Sequence, residues 1–168
     1  ARQLGEETPA ETNGLMLMVT QRVAPFVRPT LGALGRPLSF KQFDNGTVVI
    51  GGSLMCDADD VARCADANAA ALYKSAQTVT DLFPHLKHVA INRVWAGVEA
   101  FMPDSIPVIS PSSTVQGVTH AFGFSAHGFQ LSPAIGRLVS ELVCDGRASL
   151  DLRAFSITRF QESGDHSS

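Results

Sequence analysis

The sequence predicts an α+β fold: a mainly antiparallel sheet with a long helix packed on one side. Three observations predict it. Asp44-Asn45-Gly46 separates the runs PLSFKQF and TVVIGGS, and Asn-Gly between apolar runs is a strong hairpin signal because both residues tolerate positive φ. An alanine-rich stretch from Asp57 to Phe83, free of internal Gly and Pro, has the composition of a long helix. Ser132-Pro133 and Gly146 bracket a second periodic run with helix start and stop signals.

Taken in chain order, ARQLGEE reads as the end of a helix, with Gly5 near its close. LMLMVTQ, Leu15 to Gln21, reads as a strand because it is apolar and flanked by turn-formers. A connection rich in turn residues follows, with Pro25, Pro29, Gly32 and Gly35, and then the hairpin. In the helix expected over 57–83, Asp57 is the cap, and Asp59 and Asp60 suit the positive N-terminal end. Val61, Ala65, Leu72, Ala76, Val79 and Phe83 form its buried stripe, and Pro84 stops it. HVAINRVWAGVEAF is a long strand with a kink expected at Gly97, and Pro103-Asp104 turns the chain. PVIS and GVTHAF are short strands. The last helix takes Ser132 as N-cap and Pro133 as first helical residue, with Ile135, Leu138, Val139, Leu142 and Val143 on its apolar face. The polar tail ESGDHSS is expected to be mobile.

Composition narrows the function classes. With 45% hydrophobic and 17% charged residues, the 168-residue chain is that of a globular domain rather than a disordered one. A net charge of -3 supplies no basic footprint, so no nucleic-acid partner is expected. No apolar run is long enough for a transmembrane segment. Cys56, Cys64 and Cys144 are odd in number and lack CxxC spacing, which argues against a disulfide framework and for a reducing, cytoplasmic compartment. The five histidines show no ligand spacing with one another or with cysteine, so no metal site is expected.

The segment that carries chemistry is FGFSAHGFQLSP, Phe122 to Pro133. A strand enters a loop containing Gly123 and Gly128, and the loop enters a helix. Such a loop lets backbone approach a flat ligand closely. It also directs free N–H groups and the positive end of a helix dipole at whatever binds, which suits an electron-rich or anionic ring edge. A tight turn before an ordinary helix is the alternative reading of the same residues.

RVWAGVEAFMPDSIPVIS followed by GVTHAFGFSAHGFQLSPAIGRLVSEL closely resembles the C-terminal signature of the D-amino-acid oxidase-like flavoenzyme family. That family includes glycine and sarcosine oxidases and opine- or hydroxyproline-dehydrogenase-like subunits, and RPLSFKQFDNGTVVIGG looks most like the last of these. The resemblance runs over residues 1 to 150 in order. It implies oxidation of the C–N bond of an amine, amino acid, imino acid or opine by hydride transfer to FAD. It also implies that residues 1–14 end a helix and linker from an FAD-binding half missing here. Residues 15–110 would then be a substrate domain, and 111–150 a strand, loop and helix completing the FAD-binding domain, with 151–168 as tail. The last helix would belong to that FAD-binding domain.

Carried onto this sequence, the resemblance sets Gly123, Phe124, Ser125, Gly128, Phe129, Gln130 and Leu131 against the flavin. Lys41, Glu99 and His127 are the candidate catalytic residues. Lys41 is a cation on the sheet beside Phe40, and His127 is a proton-transfer group. Glu99 stands where relatives with simple amino-acid substrates often carry a carboxylate-gripping Arg, which favours a cationic amine, imino acid or opine. The GxGxxG strand-turn-helix that binds the ADP part of FAD does not occur in the chain; GALGRP lacks the context and is followed by Pro37. The chain alone is therefore expected to be inactive and not to hold FAD firmly. The missing half, as the same or a partner polypeptide, would complete it, and apolar surface left for docking would favour self-association. The rival reading is a non-catalytic remnant or interaction domain that keeps the fold without the cofactor.

Overall fold

The computed structural model describes residues 1–52, 54–59 and 61–160. Ser53, Asp60 and the residues from Gln161 onward, which include the tail ESGDHSS and His166, are outside the described residues. The chain forms two compact units, one of Asn13–Val98 and one of Ala1–Thr12 together with the chain from Glu99 onward. Its elements are, in order, β1 (Glu11–Thr20), β2 (Leu31–Ala33), β3 (Arg36–Gln42), β4 (Val48–Gly51), β5 (Met55–Cys56), β6 (Ala58–Asp59), β7 (Cys64–Ala65), α1 (Ala69–Leu82), β8 (Ile91–Phe101), β9 (Val108–Pro111), β10 (Thr119–Phe122) and α2 (Gly128–Asp145).

The fold class is the one the sequence predicts: an antiparallel sheet with a helix on one side. Strands run in the order β2-β3-β4-β1-β5, and β8 also pairs with β1. The β3–β4 hairpin forms at the expected place, pairing Phe40 with Ile50 and Gln42 with Val48. Gly46 takes φ 85°, and the Asn45 side chain accepts from the Thr47 amide at 3.0 Å. Alternation along β1, β3 and β4 sends Met16, Met18, Leu38, Phe40, Val48 and Ile50 into one core. Leu54, Cys56, Val79 of α1 and Leu86 complete it, and the Phe83 ring stacks on Phe40 with centroids 4.7 Å apart. Burying a side chain of this size contributes about 1.5–3 kcal/mol.

Buried Gln42 fastens the Pro-rich connection. Its Oε1 accepts from the Phe26 and Val27 amides at 2.9 and 3.3 Å, and its Nε2 donates to the Ala24 carbonyl at 3.1 Å. The end of that connection is not irregular as expected: Leu31–Ala33 is strand β2, closed onto β3 through Gly35 at φ 74°. At the chain start, the helix end expected from ARQLGEE is one 3-10 turn, Arg2–Leu4, closed by left-handed Gly5. β8 runs unbroken through Gly97.

The long helix expected over 57–83 is shorter than predicted. Asp57 does not cap it; Asn68 does, accepting from the Ala70 and Ala71 amides at 3.0 and 3.1 Å. The residues before it form the small β6–β7 hairpin. The cause is local competition: Asp59 Oδ1 accepts from the Val61 and Ala62 amides at 2.8 and 2.7 Å, an alternative to helix that short acidic side chains offer. Arg63 is then left-handed at φ 54°. Val61, assigned to the buried stripe, is 94% exposed.

The other unit has its own small core of Met102, Val108 and Ile157, with Phe122 and Phe160 against it. β9 and β10 pair antiparallel, His120 opposite Ser110. Buried Glu6 is enclosed by polar partners. Its Oε2 lies 2.6 Å from His120 Nε2 and accepts from Ser112 Oγ at 2.8 Å, while Oε1 accepts from the Ser113 amide and hydroxyl at 2.6 and 2.9 Å. Burial pushes this carboxyl up, but the Ser113 amide and then the His120, Ser112 and Ser113 side chains outweigh it and hold the pKa at about 2. Arg159 grips Asp104 through two nitrogens, at 2.9 and 3.2 Å, and holds that carboxyl below its ordinary value.

Candidate functional site

The loop 123–127 connects β10 to α2, and backbone conformation dominates it. Gly123 takes φ 72°, and a Cβ there would meet the Met102 side chain at 2.5 Å. Ser125 and Ala126, both with a Cβ, are left-handed at φ 49° and 71°. Consecutive residues in this region are sparsely populated and persist only where their surroundings hold them. Ser125 is buried. Its amide donates to the Ala100 carbonyl at 3.3 Å, and its Oγ accepts from the Met102 amide at 3.1 Å and donates to the Gly123 carbonyl at 3.3 Å. The Ala126 amide donates to Glu99 Oε2 at 2.8 Å.

α2 begins at Gly128 rather than at Pro133, more than a turn before the expected start. His127 occupies the cap position without a side-chain cap bond, Gly128 is the first helical residue, and Pro133 lies inside the helix. Ser132 is therefore not the N-cap. Its hydroxyl donates to the Phe129 carbonyl at 2.8 Å, the acceptor that Pro133 has no N–H to fill. Gly146, left-handed at φ 71°, ends the helix as expected.

This shift changes which donors are free. The Leu131 amide donates to the His127 carbonyl at 3.2 Å and is used within the helix. Among the described residues no protein acceptor engages the amides of Gly128, Phe129 or Gln130, which form the first turn. Three N–H groups at the positive end of an 18-residue helix remain for an external acceptor.

The predicted side chains are distributed as follows. Gly128 faces its own loop: a Cβ there would stand 3.3 Å from Phe124 Cβ, so Phe124 fills the space that the missing side chain leaves. Phe129 is 96% exposed. Gln130 Nε2 lies 3.2 Å from exposed His127 Nδ1. Glu99, at the end of β8, joins the loop through Ala126. Lys41 belongs to the sheet unit, on the face of β3 opposite Phe40, where its Nζ donates to the Arg28 carbonyl. Ala126 and Met102 are loop partners that the sequence does not announce, since nothing in SAHG or FMP signals a left-handed alanine or an amide just past β8 reaching a serine hydroxyl.

Comparison with known proteins places this architecture. A family model described as FAD dependent oxidoreductase (DAO) matches residues 3–142. The hydrogen cyanide synthase subunit HcnC of Pseudomonas aeruginosa is 31% identical over 120 residues, covering 71% of this chain and 28% of that protein. The sarcosine oxidase subunit beta of Rhizobium meliloti is 25% identical over 162 residues, covering 96% and 38%. L-proline dehydrogenase from P. horikoshii superposes with a TM-score of 0.84 at 26% identity, covering 94% of this chain and 42% of that one. Glycine oxidase from Geobacillus kaustophilus, at 20% identity and a TM-score of 0.83, shares the fold. The chain spans about a third of the length of the curated relatives it matches. The family match over most of its residues, together with the fold, shows that the chain belongs to the DAO family of FAD-dependent oxidoreductases.

Proposed function

We propose that this chain forms the substrate-side sheet and the flavin-edge loop of an enzyme that oxidises a C–N bond. The observation that carries the reading is the set of three unsatisfied amides, Gly128 to Gln130, at the head of α2. They suit the electron-rich edge of a flat ring, because backbone donors and the helix dipole both favour negative charge there. FAD, when bound, would accept the hydride from the carbon beside the amine nitrogen, and water would hydrolyse the resulting imine. The chain's own part is position and electrostatics.

Within this reading Glu99 supplies the charge that selects substrate. Its Oε2 is held by the Ala126 amide, and Oε1 has no hydrogen-bond partner among the described residues. A fixed carboxylate favours an amine, imino acid or opine that presents positive charge. His127 and Lys41 are the proton-transfer and cationic candidates, and Gly123, Phe124, Ser125, Phe129 and Leu131 shape the loop around the donors. The ADP part of FAD would need contacts from a GxGxxG segment in the same or a partner polypeptide.

The test is to record the visible spectrum of the purified chain with FAD, alone and joined to or mixed with such a segment. Flavin retained only with the segment, and bleached anaerobically by a secondary amine, imino acid or opine, is the expected result. A completed protein that holds no flavin would instead support the remnant reading.

A further inference from the structure

The loop before α2 holds two adjacent left-handed residues that are not glycine, and Glu99 binds the second of them. We infer that Glu99 is a positioning residue: its carboxylate holds Ala126 in the left-handed conformation and so sets where the Gly128–Gln130 amides point. Its consequence for flavin rests on the function proposed above; its consequence for the loop does not.

Three bonds join the loop to the end of β8 and the residue after it. Ser125 N to Ala100 O at 3.3 Å and Met102 N to Ser125 Oγ at 3.1 Å fix Ser125 through the backbone of that segment. Neither restrains Ala126. The Ala126 amide goes to Glu99 Oε2 at 2.8 Å, the shortest of the three, with a charged acceptor. The next residue, His127, takes part in both adjoining turns: its amide donates to the Phe124 carbonyl at 2.9 Å and its carbonyl accepts from the Leu131 amide. The dihedrals of Ala126 therefore decide the direction in which the first turn of α2 leaves the loop. An alanine at φ 71° relaxes toward negative φ unless something opposes it; the Phe124–His127 turn bond closes around it, and the Glu99 bond is the side-chain contact that holds its amide among the described residues. A carboxylate ahead of a helix N-terminus is also favoured by the dipole.

The role requires an acceptor oxygen, not a charge, which separates it from substrate selection. E99Q retains an acceptor, E99A removes it, and A126G removes the cost of positive φ. Amide hydrogen exchange and the amide resonances of the labelled chain read the loop without any flavin. E99A should speed exchange at Ala126 by about tenfold or more and move the resonances of Gly128, Phe129 and Gln130. E99Q should leave both near wild type. E99A/A126G should return the three resonances toward wild type, because glycine adopts the conformation without the clamp. Unchanged exchange and resonances in E99A would overturn the inference, as would failure of A126G to restore them. In the FAD-loaded protein, E99A should lower the flavin reduction potential and E99Q should not. Resonances that move while the potential stays fixed would leave the clamp standing and remove the flavin-edge reading.

Discussion

Ser132 Oγ donates to the Phe129 carbonyl at 2.8 Å, three residues back, on the turn where Pro133 withholds its N–H. The serine replaces the hydrogen bond that the proline cannot make, so the first turn of α2 continues through a Ser-Pro pair. S132A should lower stability by about 0.5–1.5 kcal/mol, the net worth of one such bond. P133A restores the N–H and removes an interior proline, and should make S132A nearly silent in the double variant. Thermal denaturation of the two single variants and the double variant measures this coupling, and additive effects would show that the two residues act independently.

Glu6 gives the protein an acid-dependent stability. Its pKa falls from the ordinary 4.5 to about 2 in the folded chain, so folding favours the ionised form. The stabilisation is complete above the ordinary value and is lost as pH falls from about 4.5 through about 2. E6Q should lower the denaturation midpoint at neutral pH, and the gap from wild type should close across that window. A gap independent of pH would mean that Glu6 contributes packing and hydrogen bonds but no charge-linked stability.

Asn68, not Asp57, caps α1. N68A should cost about 1 kcal/mol through loss of the bonds to the Ala70 and Ala71 amides. D57A should leave the helix unchanged. Urea denaturation of the two variants, compared side by side, distinguishes the two starts.

Gly128→Val tests the head of α2. The added atoms meet the Phe124 side chain first, because even a Cβ would lie 3.3 Å from its Cβ. Displacing Phe124 should misalign the free amides while leaving the helix beyond Ser132 intact by circular dichroism. In the flavin-loaded protein the expected fall in kcat is about 10²–10³-fold, the scale on which losing a preorganised donor acts in other enzymes. Wild-type turnover with a normal spectrum would assign Gly128 to packing against Phe124 and nothing more.

Much of this protein was legible from sequence because local rules decided it. The hairpin at Asn45-Gly46 follows from residues that accept positive φ, and the β3 and β4 core follows from strict alternation. Gly146 ends α2 because a left-handed C-cap favours glycine. The ordered signature from Arg93 to Leu142 pointed to the family that the comparisons show. Where the sequence misled, two local signals competed. Asp59 and Asn68 are both good caps, and Asp59 closed a turn onto Val61 and Ala62 instead of starting a helix. Ser132-Pro133 reads as a helix start by propensity, yet the helix begins at Gly128 because a hydroxyl can stand in for the missing amide. Contacts distant in sequence carried no signal at all. Glu6 meets His120 across 114 positions, and Glu99 reaches Ala126 across 27. Sequence order set the elements and the family; only the folded chain brought a strand-end carboxylate to a left-handed alanine, since that bond depends on where two separate segments end in space.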